Sequence, residues 1–514
     1  MTSTSSSASP VAQVTLHTAF HRGSIDRRLF GSFVEHMGRC VYTGVYEPDH
    51  STADPWGFRK DVAELVEELG VSLVRYPGGN FVSGYDWLDG VGPVADRPRR
   101  LDLAWRSIET NEVGPDEFLP WARRLNLEPM MAVNLGTKGV AEAAALVEYC
   151  NVESGTHYAD LRRANGTEDP HAIKLWCLGN EMDGEWQIGH KDADDYGKLA
   201  AEAGKAMRLV DPSIELVACG SSNREMDTFG EWERTVLEHT WDVADYLSMH
   251  AYYDGRQTRE DFLASGFRMD RFISDVIATA DAVGARRRSD KVMKISFDEW
   301  NVWSSRPDAP VDLQSAISTQ PKISEDPYQA LDAVVVGDLL ISLLNHSDRV
   351  TVACLSLLVN VSAPIMTEPG GGVSRQTTFH PMATTARLAQ GTSLVAAVDC
   401  GQVSTPAHGD IPALGVAASH DAATDTVSVF LVNRSDAELG VSVIISDAAA
   451  ATVLSAVTVR STGSDADYVA PGADSAAPQR LDDCRIVDGR LVATLQPGSW
   501  SAVALSVGAG AGRA

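Results

Sequence analysis

Eight short apolar runs recur along residues 29–360, each closing on glycine, asparagine, serine, histidine, glutamate or an aromatic residue, with longer helix-forming stretches between them. They are LFGSFVEH from Leu29, VSLVRYPGG from Val71, MMAVNLG from Met130, IKLWCLGNE from Ile173, IELVACGSS from Ile214, DYLSMHAYY from Asp245, VMKISFDEW from Val292 and VTVACLSLLVN from Val350. Runs of this length read as strands buried on both faces. The intervening segments have a helical period, as in FRKDVAELVEELG (Phe58 to Gly70), DDYGKLAAEAGKAMRLV (Asp194 to Val210) and YQALDAVVVGDLLISLLNH (Tyr328 to His346). Strands alternating with helices build a parallel α/β layer, and eight such units match a (β/α)8 TIM barrel. An open doubly wound sheet fits less well, because no Gly-x-Gly-x-x-Gly turn follows the first strand.

After about Gln390 the helical period gives way to alternation, in TVSVFLVN, GVSVIIS and RLVATLQPGSWSAVALSV, which predicts a jelly-roll-like antiparallel β-sandwich. The alternating piece VAQVTLHTAF from Val11 is expected to add a strand to it and so bring the chain ends together. The expected division is residues 1–25 as tail and sandwich strand, 26–388 as barrel and 389–514 as sandwich. The stretches STGSDADYVAPGADSAAPQ (Ser461 to Gln479) and GAGAGRA at the C-terminus are expected to be mobile.

Seventy acidic against 43 basic residues give a formal net charge of −27, which repels phosphate backbones and anionic lipid. Nucleic acid and membrane are therefore not expected as partners. The start MTSTSSSASP lacks the basic and apolar regions of a secretion signal, and no run approaches membrane-spanning length, so a cytoplasmic location is expected. The seven cysteines form no Cys-x-x-Cys pair, and most sit in apolar runs, as reduced core thiols do.

Catalytic groups of a barrel come from the C-terminal ends of its strands. Here those ends are polar: Glu35 and His36 on the first, Arg75 and the YPGGN turn with Asn80 on the second, Asn180 and Glu181 on the fourth, His250 and Tyr252 on the sixth, Asp298, Glu299 and Trp300 on the seventh. One acidic strand end is usually a helix cap or ion-pair partner. Two glutamates on strands that face each other across the mouth can flank one bond, which is what glycoside hydrolysis by a carboxylate pair requires. One must keep its proton and the other must be ionised; residue types alone do not say which is which. Asp183 and Glu185 lie in a glycine-bounded loop and are expected to orient it, Asp298 is expected by strand alternation to point to the opposite face, and Glu35 suits sugar hydroxyls. Tyr252, Trp300 and Trp303 suit apolar sugar faces.

No His-x-His, His-Glu-x-x-His or Cys/His cluster suggests a metal, and neither His36 nor His250 has a carboxylate at ligand spacing, so no metal or cofactor is expected. Gly-x-Ser-x-Gly and Walker A motifs are absent. An endo-acting enzyme of related chemistry and a carbohydrate-binding protein without turnover remain as alternatives.

The blocks FGSFVEHMGRCVYTGVYEP, VRYPGGNFVSGYDWLDGVGP, WCLGNEMDGEWQIGH and ISFDEWNVW, joined by RPRRLDLAWRSIETNEVG and MAVNLGTKG, resemble the α-L-arabinofuranosidases of glycoside hydrolase family 51 from Leu29 to about Pro381. The resemblance implies a metal-free retaining enzyme that removes terminal non-reducing α-L-arabinofuranosyl units from oligosaccharides. It implies Glu181 as acid/base and Glu299 as nucleophile. It further implies that Glu35, Asn80 and Asn180 bind furanose hydroxyls, Asn180 at the 2-hydroxyl, that Arg75, His250 and Tyr252 hold the nucleophile side, that Trp303 lines the mouth, and that Gln376 of VSRQTTFHP contacts substrate near the leaving group. A homo-oligomer, a hexamer in many members, is implied as well. Glu181 would need a raised pKa, expected chiefly from the charge of Glu299, and the two carboxyl groups should stand about 5 to 5.5 Å apart.

Overall fold

The computed structural model describes residues 11–303, 317–461, 473–475 and 477–509. All eight expected strands form: β1 (Gly31–Phe33), β2 (Leu73–Tyr76), β3 (Glu128–Ala132), β4 (Leu175–Leu178), β5 (Glu215–Ala218), β6 (Tyr246–Asp254), β7 (Lys294–Trp303) and β8 (Val350–Leu355). They close in sequence order into a barrel in which every neighbouring pair is parallel. The helices return outside it. In Lys60–Leu69, for example, Val62, Leu65, Val66 and Leu69 are buried, the i, i+3, i+4, i+7 stripe of one face.

Beyond the barrel lie two sheets. One, of five strands, includes Val11–Leu16; the other, of seven, includes Ser499–Ala509. A separate apolar cluster fills the space between them, with Val14, Leu16, Val429, Val443, Leu491 and Val503 among its members. The strand Val11–Leu16 joins as expected, but it pairs parallel with Leu439–Ile445 and antiparallel only with Ala397–Asp399, so the sandwich is not antiparallel throughout. Two stretches expected to be mobile are partly ordered. Gly508 and Ala509 end a strand, and Asp474 and Ser475 are held by Arg375 and His380, while residues 462–472, 476 and 510–514 lie outside the described residues. All seven cysteines are free, five of them buried.

The helix Ala330–Asn345 joins the two units, and its buried positions run around most of its surface. A helix apolar on every side must be covered on every side, here by the barrel on one face and the sandwich on the other. Gly337 sits beneath the Trp500 indole, where an added Cβ would come within 2.2 Å of the ring. Next to it, buried Asp338 takes two hydrogen bonds from Arg434 of the sandwich, at 2.7 and 2.8 Å. Removing one partner of such a pair leaves a bare buried charge, so Asp338→Ala is expected to cost about 3–5 kcal/mol of stability. Denaturant unfolding checks this; a loss below about 1 kcal/mol, the range of exposed pairs, would contradict it.

Candidate active site

At the C-terminal end of the barrel a cavity of about 510 Å³ opens between the strand-end loops, and Glu35, Asn80, Glu181, Tyr252, Glu299 and Trp303 all line it. The YPGGN turn explains itself here. A Cβ on Gly78 would lie 2.7 Å from Glu35 Cγ, and one on Gly79 would lie 3.1 Å from carboxylate oxygens of both Glu35 and Glu299. Only a backbone without side chains lets two carboxylates approach so closely.

Glu181 and Glu299 meet across the cavity, and one oxygen of each lies within 4.8 Å of the other and of a ring nitrogen of His250. Their surroundings differ. Glu299 Oε1 accepts from Arg75 Nη1 at 2.6 Å and Oε2 from the Tyr252 hydroxyl at 2.9 Å. The buried Arg75 also donates through Nη2 to Asn180 Oδ1 at 2.6 Å, which turns the Asn180 amide nitrogen toward Asn80 and Gln187. Glu181 accepts from Trp186 Nε1 at 2.7 Å and stands 3.0 Å from His250 Nδ1. Its backbone lies in the left-handed region, φ 43°, a conformation that costs a non-glycine residue free energy and holds the side chain at the strand end. Burial raises the Glu181 pKa, with the charge of Glu299 adding to it and the His250 bond opposing it. Burial, not Glu299, is thus the larger cause, contrary to the sequence expectation.

His250 is buried, which alone would lower its pKa. The charge of Glu299, together with Asp298 and Glu181, outweighs this and lifts it to about 10. Glu35 is pushed up to about 8 by burial, against hydrogen bonds from Phe81 N and Trp105 Nε1, both 2.9 Å and both to Oε1. A carboxyl that keeps its proton near neutrality can donate to a ligand hydroxyl as well as accept from one.

Three sequence expectations change. Asp298 does not face away: the β6–β7 and β7–β8 registers shift between Ser248 and His250 and between Phe297 and Trp300. A bulge breaks alternation, and Asp298 points inward beside Glu299, accepting from Ser248 Oγ at 2.5 Å and standing 3.5 Å from Arg75 Nε. Gln376 is not brought to the cavity wall; its amide donates to the carbonyls of Asp326 and Ala363 and accepts from Tyr328 N, so it ties loops together. The histidines do have carboxylates beside them in space, His36 with Glu109 at 2.9 Å and His250 with Glu181 and Glu299. The positive charge that a cation would bring to the second group is already carried by Arg75 and a protonated His250.

Other residues of the site escaped the sequence reading. Trp105 and Trp186 bond the carboxylates directly, and Ser222 and Asn223, following β5, line the cavity. Asp183 accepts from the Ser222 backbone and hydroxyl, fastening the β4 loop to the β5 loop. A tryptophan in a short polar loop, as in DGEWQ, was the available signal.

Family models for the α-L-arabinofuranosidase 1 domain and the α-L-arabinofuranosidase C-terminal domain match residues 65–266 and 298–499. An intracellular exo-α-(1→5)-L-arabinofuranosidase of Streptomyces lividans is 52% identical over 96% of this chain and 75% of its own length. A solved family 51 α-L-arabinofuranosidase from Bifidobacterium longum superposes with a TM-score of 0.89, at 42% identity, over 97% of this chain and all of that one. The chain belongs to the α-L-arabinofuranosidases of glycoside hydrolase family 51. A further relative, an exo-α-(1→6)-L-arabinofuranosidase of Bifidobacterium longum, is 53% identical over 82% of this chain and 83% of its own length. Family membership accordingly leaves the linkage open, since relatives named for different linkages stand at nearly equal identity. Both family models cut through the barrel, the second beginning at Asp298, so the cavity draws Asn80 and Glu181 from the first matched segment, Glu299 from the second and Glu35 from ahead of both.

The Trp186 bond to Glu181 carries a prediction for this arabinofuranosidase. An indole N–H donates only, so it favours the carboxylate over the acid. Removing it in Trp186→Phe raises the Glu181 pKa further, and activity that needs protonated Glu181 persists to higher pH. The alkaline limb of the kcat/KM profile is expected to move up by about half a unit to one unit. An unmoved or lowered limb would contradict this role.

Proposed function

We propose that this chain hydrolyses terminal non-reducing α-L-arabinofuranosyl residues of short arabino-oligosaccharides by double displacement with retention. The observation that carries the reading is the closeness of Glu181 and Glu299, oxygen to oxygen within 4.8 Å. So close an approach suits the nucleophile of a retaining pair better than an inverting pair, whose carboxylates stand about 6.5–9.5 Å apart with a water between them.

Glu299 attacks the anomeric carbon while Glu181 gives its proton to the departing oxygen; Glu181, then a carboxylate, takes a proton from water, which releases arabinose. The assignment follows the environments. Glu299 is held through both oxygens, by the Arg75 guanidinium and the Tyr252 hydroxyl, in a fixed position for attack, whereas burial favours the protonated form of Glu181. Ester formation removes the Glu299 charge, which lowers the Glu181 pKa just when a base is needed. Glu35, Asn80 and Asn180 bind the furanose hydroxyls, with Arg75, His250 and Tyr252 holding the nucleophile side and Trp303 the mouth. Gln376 serves as a positioning residue for the loops behind them.

Residues 26–388 would form the catalytic unit and 1–25 with 389–514 its companion. We place the enzyme in the cytoplasm, acting on imported fragments of arabinan or arabinoxylan in arabinose and hemicellulose catabolism. Among the described residues no helix is long and apolar enough to cross a membrane. A homo-oligomer, hexameric by family resemblance, would appear in light scattering at a multiple of the 55.2 kDa chain mass. Proton NMR of the sugar first released from para-nitrophenyl α-L-arabinofuranoside tests the chemistry. The α anomer should appear before mutarotation; β anomer first would overturn the double displacement.

A further inference from the structure

Beside the active-site cavity lies a second hollow of about 110 Å³, and Asn223, Glu225 and Tyr252 line both. Its other walls come from the end of β6, from the helix Ser265–Arg287 and from the sandwich, whose hairpin Gln402–Thr405 and Gly409–Pro412 turns at its tip through His408. The hairpin is pinned to the barrel, because Ala407 N donates to Asp261 Oδ1 at 2.9 Å. On a chain of net charge −27, this hollow carries three arginines, Arg224, Arg268 and Arg271.

Their partners are loosely held. Arg224 reaches Asp275 at 2.7 Å and Arg268 reaches Glu225 at 2.9 Å, both in solvent-accessible pairs of the kind that contribute little and can be exchanged for a ligand. Arg271 is exposed and has no carboxylate partner among the described residues. His408 Nε2 is shielded from water and has no hydrogen-bond partner among them. Burial, with the nearby Arg268 adding to it, holds the His408 pKa below the usual histidine range, against the charges of Asp261 and Glu225.

Asn223 and Glu225, which line both spaces, follow β5, whose loop is fastened through Ser222 and Asp183 to the β4 loop carrying Glu181; the third shared residue, Tyr252, bonds Glu299. On the β5 side the hollow therefore adjoins the proposed proton donor, where a leaving group would pass. A guanidinium recognises a planar anion, and the planar anion of an oligosaccharide is the carboxylate of a uronic acid. A hollow of this size takes the carboxylate edge of one ring. We propose that this arginine-lined hollow is a leaving-group subsite for a uronate residue, so that arabinofuranosyl units on acidic oligosaccharides are preferred to those on neutral ones. The inference rests on the function proposed above.

The test uses an arabinofuranosyl oligosaccharide with a uronate in its leaving group and the same compound with that carboxylate chemically reduced to the alcohol. At low ionic strength kcat/KM should favour the acid form by about fivefold, and added salt should shrink the ratio. In Arg271→Gln and in Arg268→Gln/Arg271→Gln the ratio should fall toward one. Equal rates on the two substrates in the wild type, or a preference that survives the double variant, would overturn the subsite. Failure to hydrolyse para-nitrophenyl α-L-arabinofuranoside at all would instead overturn the underlying function, so the two failures are distinct.

Discussion

Glu299→Ala is expected to lower kcat on every arabinofuranoside by on the order of 10⁴-fold or more, whatever the leaving group. The loss follows from the site's construction. The neighbouring carboxyls are otherwise engaged: Glu181 is the proposed acid/base, Asp298, though adjacent, is bonded to Ser248 and stands beside Arg75, and burial pushes Glu35 up to about 8, which favours its uncharged form. The variant also removes the acceptor of a buried guanidinium, so part of any loss could reflect a disturbed pocket. Glu299→Gln separates the two effects. It keeps an oxygen for Arg75 and a near-identical shape, and it should bind arabinose while turning over as poorly as the alanine variant. A Glu299→Gln enzyme with more than about a hundredth of wild-type kcat would remove the nucleophile from this residue.

Glu181→Ala should behave differently, and the difference identifies its role. Oligosaccharide substrates have a poor leaving group and need its proton, so kcat/KM on them is expected to fall by about 10³-fold. Para-nitrophenolate leaves without protonation, so kcat/KM on the nitrophenyl substrate should fall far less. Its second step then lacks a base, the glycosyl ester accumulates, and a burst of nitrophenol should precede a slow steady state with a lowered KM. The alkaline limb of the pH profile should vanish too, since it reports loss of the Glu181 proton as pH rises through its raised pKa. Equal losses on both substrates would mean that Glu181 is not the proton donor.

The barrel was legible because each strand lies in a short, mostly apolar run followed by a helical stretch, and because barrel geometry sends the residue that ends a run to the mouth. Glu35, Arg75, Asn80, Asn180, Glu181, His250, Tyr252 and Glu299 could all be found by asking what closes each strand. Asp298 could not be placed, since alternation assumes a regular ladder and the register shift between Phe297 and Trp300 is set by neighbouring strands, not by local sequence. Trp105 and Trp186 were hidden for another reason: they reach the site from loops, where no period marks which side chain turns inward. Gln376 is the converse case. Its motif placed it near the mouth, yet the backbone groups of Asp326, Ala363 and Tyr328 absorb its whole amide. The electrostatic balance at Glu181 depends on burial, which only the assembled cavity defines.

The division of labour between the two carboxylates is tested most directly by azide rescue of both alanine variants on para-nitrophenyl α-L-arabinofuranoside, with the product's anomeric configuration read by NMR. Azide should restore turnover of Glu299→Ala by attacking the substrate itself, giving the inverted β-L-arabinofuranosyl azide. In Glu181→Ala it should attack the accumulated ester and give the retained α azide. The reverse pairing of variant and configuration, or no azide adduct with Glu299→Ala, would contradict Glu299 as nucleophile and Glu181 as acid/base.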